Sequence, residues 1–159
     1  MRQKKTNLIN ISSTLDMVWL AAVVDGEGWI GIRERSKNKG YYYSLLEITN
    51  TNLEFLNKVV SITGMSRIYS KKRKNKKWKD TFRWILEGDR VVDILTQIIP
   101  FLIIKRKQAE LAILLQNTNK QYGELKRTDG KGGTLLSERE KEYRKSLYLQ
   151  IRELNKKGR

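Results

Sequence analysis

Two acids separated by a single glycine, Asp25 and Glu27, stand in the stretch VVDGEGWIGI, Val23 to Ile32, with Gly26, Gly28 and Gly31 around them. Three chemistries fit such a stretch. The glycine spacing matches a G-x-G-x-x-G dinucleotide loop, with Glu47 about 20 residues on, where a ribose-binding acid belongs. That loop must follow a strand and open a helix, because helix N-terminal N–H groups hold the pyrophosphate. Here a helical pattern runs into the glycines and a strand pattern leaves them, which is the reverse order. Alternatively the glycines only end a helix, and both acids are solvated. An acid at a helix C-terminus meets the negative end of the macrodipole, so Glu27 is misplaced unless a cation compensates it. A bound divalent metal would be such a cation.

Composition narrows the alternatives. The 159 residues contain no Cys and no His, which excludes a disulfide framework, zinc fingers, thiol nucleophiles, Ser-His-Asp relays and histidine-metal nucleases. Lys and Arg number 33 against 17 Asp and Glu, a net charge of +16 that asks for a polyanionic partner, nucleic acid first. A basic ribosomal or membrane-surface protein would show the same total. The longest apolar run, Met17 to Val24, is far short of a bilayer span, and the basic MRQKK at the start is not followed by an apolar signal region, so a soluble, unprocessed single domain is expected.

The elements that must position these acids are legible from pattern. Ser13 and Asp16 have capping-box spacing, and Leu15, Val18, Trp19, Ala22 and Val23 follow at helical spacing, predicting a helix from Thr14 to about Val24. Alternation through Ile30 and Ile32, resumed in YYYSLLEIT, predicts a hairpin. Thr51 and Glu54 make a second capping box, for a helix stopped at Gly64, and two further strands bracket KKRKNKK, the last running from Trp78 to Glu87. Asp89 is placed to cap a short helix, Pro100 breaks the chain, and another helix follows from roughly Phe101 to Asn117. RTDGKGGT reads as a mobile loop, and Ser137 with Glu140 caps a last charged helix through about Leu154. The expected class is α+β: one antiparallel sheet, helices on one face, the other face free.

At this point the residues carry a resemblance. LAAVVDGEG, Leu20 to Gly28, resembles the motif of the LAGLIDADG homing endonucleases, with Leu20, Ala21, Asp25 and Gly28 matching outright and Glu27 standing for the catalytic Asp. The order of elements is similar to that family's αββαββα core over about Thr14 to Asn117, and PFLIIKRKQAEL, Pro100 to Leu111, resembles its segment carrying a basic residue near the active site. The resemblance implies one domain over 1–159, with a saddle-like four-stranded sheet, a core of about 14–117 and a C-terminal loop and helix over 118–159. It implies a Mg²⁺-dependent, site-specific double-strand DNA endonuclease, with Mn²⁺ or Ca²⁺ able to substitute for binding. Glu27 is then a direct metal ligand and the backbone carbonyl of Gly26 a second, while Asp25 holds the end of the motif helix. Lys105 is the basic residue near the scissile phosphate, with a surface lysine as its bland alternative, and Asn50 orients solvent.

One motif supplies one carboxylate, and cutting both strands requires two sites, so the resemblance implies a homodimer with the motif helices on a twofold axis. Trp19, Leu20, Ala21, Ala22, Val24 and Asp25 are the residues expected there; Ala22 replaces the family's central Gly, which sets the helices slightly farther apart. Relatives of this kind cut long near-palindromic sites, leave 3′ overhangs, and are encoded by mobile introns. DNA contact is expected from the free face of the sheet: Arg33, Arg35 and Lys37; Tyr41, Tyr43 and Glu47; Tyr69, Lys71 and Arg73; Lys79, Thr81 and Arg83. The rival readings are an RNA maturase of the same fold with intron RNA as partner, an inactive DNA-binding relative, and a D…E-x-K nuclease around Glu124 to Lys126 that lacks an upstream acid in strand context. The protein is expected beside the DNA of its host compartment.

Overall fold

Ser13 opens the first helix: its Oγ accepts the N–H of Asp16 at 3.4 Å and its carbonyl accepts that of Met17 at 3.0 Å. The structure, a computed structural model, describes residues 10–35, 40–65, 67–73, 77, 79–123 and 136–156. Lys37, the RTDGKGGT loop and the Glu124–Lys126 segment lie outside the described residues. The elements are α1 (Thr14–Glu27), β1 (Gly28–Glu34), β2 (Tyr42–Asn50), α2 (Leu53–Thr63), β3 (Ile68–Lys71), β4 (Thr81–Glu87), α3 (Asp89–Ile98), a 3₁₀ turn (Ile99–Phe101), α4 (Arg106–Gly123) and α5 (Glu138–Lys156). The strands form one antiparallel sheet in the order β1-β2-β4-β3. The α+β class expected from the pattern is the one observed.

Apolar alternation decides which face is covered. Ile30, Ile32, Leu46, Ile48, Trp84 and Leu86 point to one side of the sheet and are buried there with Leu20 and Val24 of α1, Leu56 of α2, Leu95 of α3 and Leu115 of α4. The polar end of Trp84 is satisfied within this core, its indole N–H donating to the Met65 carbonyl at 2.9 Å. α5 closes the same side: Tyr148 packs on Tyr42 at 5.2 Å, and Asn155 donates to the Ile30 carbonyl at 3.0 Å. The charged C-terminal helix therefore braces the core. None of the helices among the described residues is long and apolar enough to cross a membrane.

Several element ends differ from the sequence reading: α4 runs on past Asn117 to Gly123, and β4 begins at Thr81, the expected start Trp78 lying outside the described residues. The cap of α2 is Asn52, whose Oδ1 accepts the N–H groups of Glu54 and Phe55, and not Thr51. Gly88, at φ 68°, precedes α3, so Asp89 is its first residue and spends its carboxylate on Gln116. α4 starts at Arg106, because Pro100 sits in the 3₁₀ turn and the following N–H groups are taken by a residue of α1. α1 itself continues to Glu27, for the reason given below.

Candidate active site and nucleic-acid interface

α1 and the segment leading into α4 cap one another. Asp25 Oδ2 accepts the N–H of Ile103 at 2.7 Å, and Oδ1 accepts those of Ile104 at 3.2 Å and Lys105 at 2.9 Å. These are donors that an incipient helix leaves unpaired, and a carboxylate there also suits the helix dipole. In return, Lys105 Nζ donates to the Val24 carbonyl at 3.0 Å and to the Asp25 carbonyl. A lysine ammonium thus sits at the negative end of α1. Burial pushes the Lys105 pKa down, and the nearby charges of Asp25 and Glu27 pull it back up. This corrects one inference from sequence: the cation that makes an acid tolerable at this helix end is Lys105, and no metal is needed for that.

Glu27, the last residue of α1, is exposed, and no hydrogen bond or ion pair engages its carboxylate among the described residues. Gly28 lets the chain leave the helix directly into β1, since a Cβ there would lie 2.7 Å from the Val24 carbonyl oxygen. Among the described residues no group of three or more acids converges on a metal position. The donors one chain offers, the Glu27 carboxylate and the Gly26 carbonyl, fit a hard divalent cation that keeps several waters and completes its shell with phosphate oxygens. Asp25 is committed to α4. Asn50 lies at the same end of the sheet, paired in register with Phe82, but it shares the parity of core-facing Ile48, and its Oδ1 accepts the Asn52 N–H at 2.9 Å. Its side chain shapes the turn into α2.

The uncovered face of the sheet carries the odd-numbered residues. Arg33, Tyr43, Glu47, Tyr69, Lys71, Thr81 and Arg83 occupy it together, with Arg35, Tyr41, Arg73 and Lys79 on the connections just beyond the strands. On this face, among the described residues, Arg33 lies over Trp29 at 5.3 Å, Arg35 over Tyr43 at 5.5 Å and Arg83 over Tyr69 at 5.8 Å. Glu47 stands between two of them, its Oε2 at 3.6 Å from both Arg33 and Arg83. A groove of about 480 Å³ opens here, bounded by Glu47, Thr49, Tyr69, Lys71, Arg73 and Arg83. Trp29 escaped the sequence reading although its parity with Arg33 was available; Gly31 was the signal, because a Cβ there would meet the indole at 2.1 Å.

The expected pairing face of α1 needs correction. Leu20, Ala21 and Val24 are fully buried beneath the chain's own sheet and helices and cannot face a second copy. Trp19 is half-buried against Phe55, at 5.7 Å. The exposed strip is Leu15, Val18, Ala22 and Gly26, at helical spacing, with Leu15 81% and Val18 44% exposed. Ile103 and Ile104, 88% and 71% exposed, continue the apolar surface beside Asp25.

No protein-family model matches the chain, and no curated protein matches it. Solved structures do. The archaeal intron-encoded homing endonuclease I-Vdi141I, complexed with DNA, superposes with a TM-score of 0.67 at 14% identity, over 88% of this chain and 84% of that one. The homing endonuclease I-CvuI, in complex with its target in the presence of calcium, gives 0.56 at 23% identity, over 84% and 94%. The LAGLIDADG homing endonuclease I-GzeII, with its DNA target, gives 0.60 at 16% identity, over 86% of this chain and 43% of that one. This chain has the LAGLIDADG homing-endonuclease fold. In that fold the motif-like stretch Leu20–Gly28 forms the end of α1 and its exit into β1, so the residues that carried the resemblance are those that bring Glu27, Gly26, Asp25 and Lys105 together.

Proposed function

We propose that the protein is a homodimeric, Mg²⁺-dependent, site-specific double-strand DNA endonuclease of the intron-encoded kind. The observation that carries this reading is the unengaged Glu27 carboxylate, presented on a rigid helix end at the margin of a basic, aromatic-lined sheet face. Asp25 and Lys105 fix the position of that helix end, and Glu27 with the Gly26 carbonyl would hold the cation. When bound, a divalent cation lowers the pKa of an attacking water and neutralises charge developing on the phosphate. Lys105, an ammonium close to Glu27, adds positive charge beside the scissile phosphate while it caps α1.

A single chain supplies one such carboxylate, and two strands require two. The exposed strip Leu15, Val18, Ala22 and Gly26, extended by Ile103 and Ile104, is the surface on which a second copy would dock, with open space at Gly26 allowing close helix approach. An apolar strip on the outer side of a helix whose inner side is already buried argues for such a partner. The coverage of only 43% of the I-GzeII chain supports it, since that chain has room for a second unit of this size. Residues 14–117 would form the cutting core and 118–159 its brace.

Incubation of the protein with a randomised duplex library, with Mg²⁺ or with chelator, and sequencing of the cut ends tests the proposal. The expected result is cleavage of both strands at one long, near-palindromic site with 3′ overhangs, in Mg²⁺ only. Specific binding without cleavage in any divalent metal would refute the nuclease reading in favour of a binding module, and preference for structured intron RNA would move it to a maturase.

A further inference from the structure

On the DNA-cutting reading above, the sheet face must be divided between groups that hold phosphates and groups that read bases, and charge pairing on that face makes the division. We propose that Arg33 and Arg83, pinned on either side of Glu47, read base edges, and that Glu47 keeps phosphates away from this part of the face. Several features carry this. The 3.6 Å separations are ion-pair distances too long for hydrogen bonds, so neither guanidinium spends a donor on Glu47. Each guanidinium also lies over a ring, Arg33 over Trp29 and Arg83 over Tyr69, a second contact that restrains it without using an N–H donor. Trp29 can lie flat because Gly31 beneath it has no Cβ.

Such a fork, immobilised before DNA arrives, suits the paired O6 and N7 acceptors of guanine in the major groove. Glu47, its side chain 18% exposed and its Oε1 accepting the Thr49 hydroxyl at 3.3 Å, is a carboxylate that a phosphate would have to approach and that a cytosine amino group could satisfy. Lys71 and Lys79 carry no ion pair among the described residues and stand at the turn end of the same face; they are the phosphate-holding groups. The central positions of each half-site read by this triad are therefore G·C pairs.

Binding selections from a randomised duplex library in Ca²⁺ test this, using the full chain as wild type, Glu47→Gln, Glu47→Asp, Arg83→Ala and Lys71→Gln. Arg83→Ala and Glu47→Gln are expected to lose discrimination, by about ten- to hundredfold, at the same few positions of each half-site. Glu47→Gln should also bind random duplex more tightly, and Glu47→Asp should keep most of the wild-type profile. Lys71→Gln should weaken binding to all sequences alike and lower the salt slope by about one. A Glu47→Gln profile equal to wild type, or weakened uniformly as for Lys71→Gln, would overturn the inference. A wild-type protein that prefers no sequence would instead overturn the DNA-cutting reading on which it rests.

Discussion

The carboxylate of Asp25 takes three backbone N–H groups of the Ile103–Lys105 segment, whereas that of Glu27, two residues on, takes none. The pair therefore divides into an acid committed to the fold and an unengaged one, to which the proposed function gives the chemistry. Asp25→Ala is expected to lower the unfolding free energy by about 2 kcal/mol, the upper range for a lost helix cap. Glu27→Ala should change it by less than about 0.5 kcal/mol, as surface substitutions do; urea denaturation of both variants checks the contrast, and equal losses would contradict it. Lys105 belongs to the same scale. Its folded-state pKa lies below the ordinary lysine value, so the folded chain releases this proton first and the unfolded chain holds more protons in the interval between the two values. Stability from this group therefore rises with pH across that interval, while the ammonium that caps α1 is lost. Lysine side-chain NMR should show Lys105 titrating below the ordinary lysine value, with cleavage falling in step. A Lys105 resonance titrating at the ordinary lysine value would contradict the burial argument.

Elements were more legible in the sequence than their ends. Strand parity from Ile30 to Ile48 and in Phe82 to Leu86 follows from alternation alone, because a half-buried strand must put every second residue in the core. Ends are set by contacts that sequence spacing does not reveal. α1 persists through Glu27 because Lys105, 80 positions away from Asp25, serves its last carbonyls. The α2 cap went to Asn52 rather than Thr51 because Asn50 already closes a turn onto the Asn52 N–H, which brings the Asn52 amide to the helix start. Asn52→Ala should accordingly cost about 1 kcal/mol in chemical denaturation, with Thr51→Ala near neutral; the reverse order would restore the capping box read from sequence. The motif helix was located correctly but its faces were not. Its apolar residues occupy both sides, so periodicity could not tell Leu20 and Val24, which meet the core, from Leu15 and Val18, which do not.

For the whole molecule, three features lie in one arrangement: a net charge of +16, a sheet face where guanidinium groups rest on rings, and an uncovered apolar strip on α1. Each asks for a macromolecular partner, the first two for a polyanion and the last for another apolar surface. On the proposed function, a second copy docked on the strip would place one Glu27 for each strand of a duplex, and the activity would be a property of the pair. The decisive test is cleavage of a supercoiled plasmid carrying the selected site, in Mg²⁺, by three dimers: wild type, Glu27→Gln, and a purified mixed dimer with one subunit of each. Linear product from wild type, nicked circles alone from the mixed dimer, and bound but intact plasmid with Glu27→Gln are expected. Linear product from the Glu27→Gln dimer would show that this carboxylate does not cut DNA.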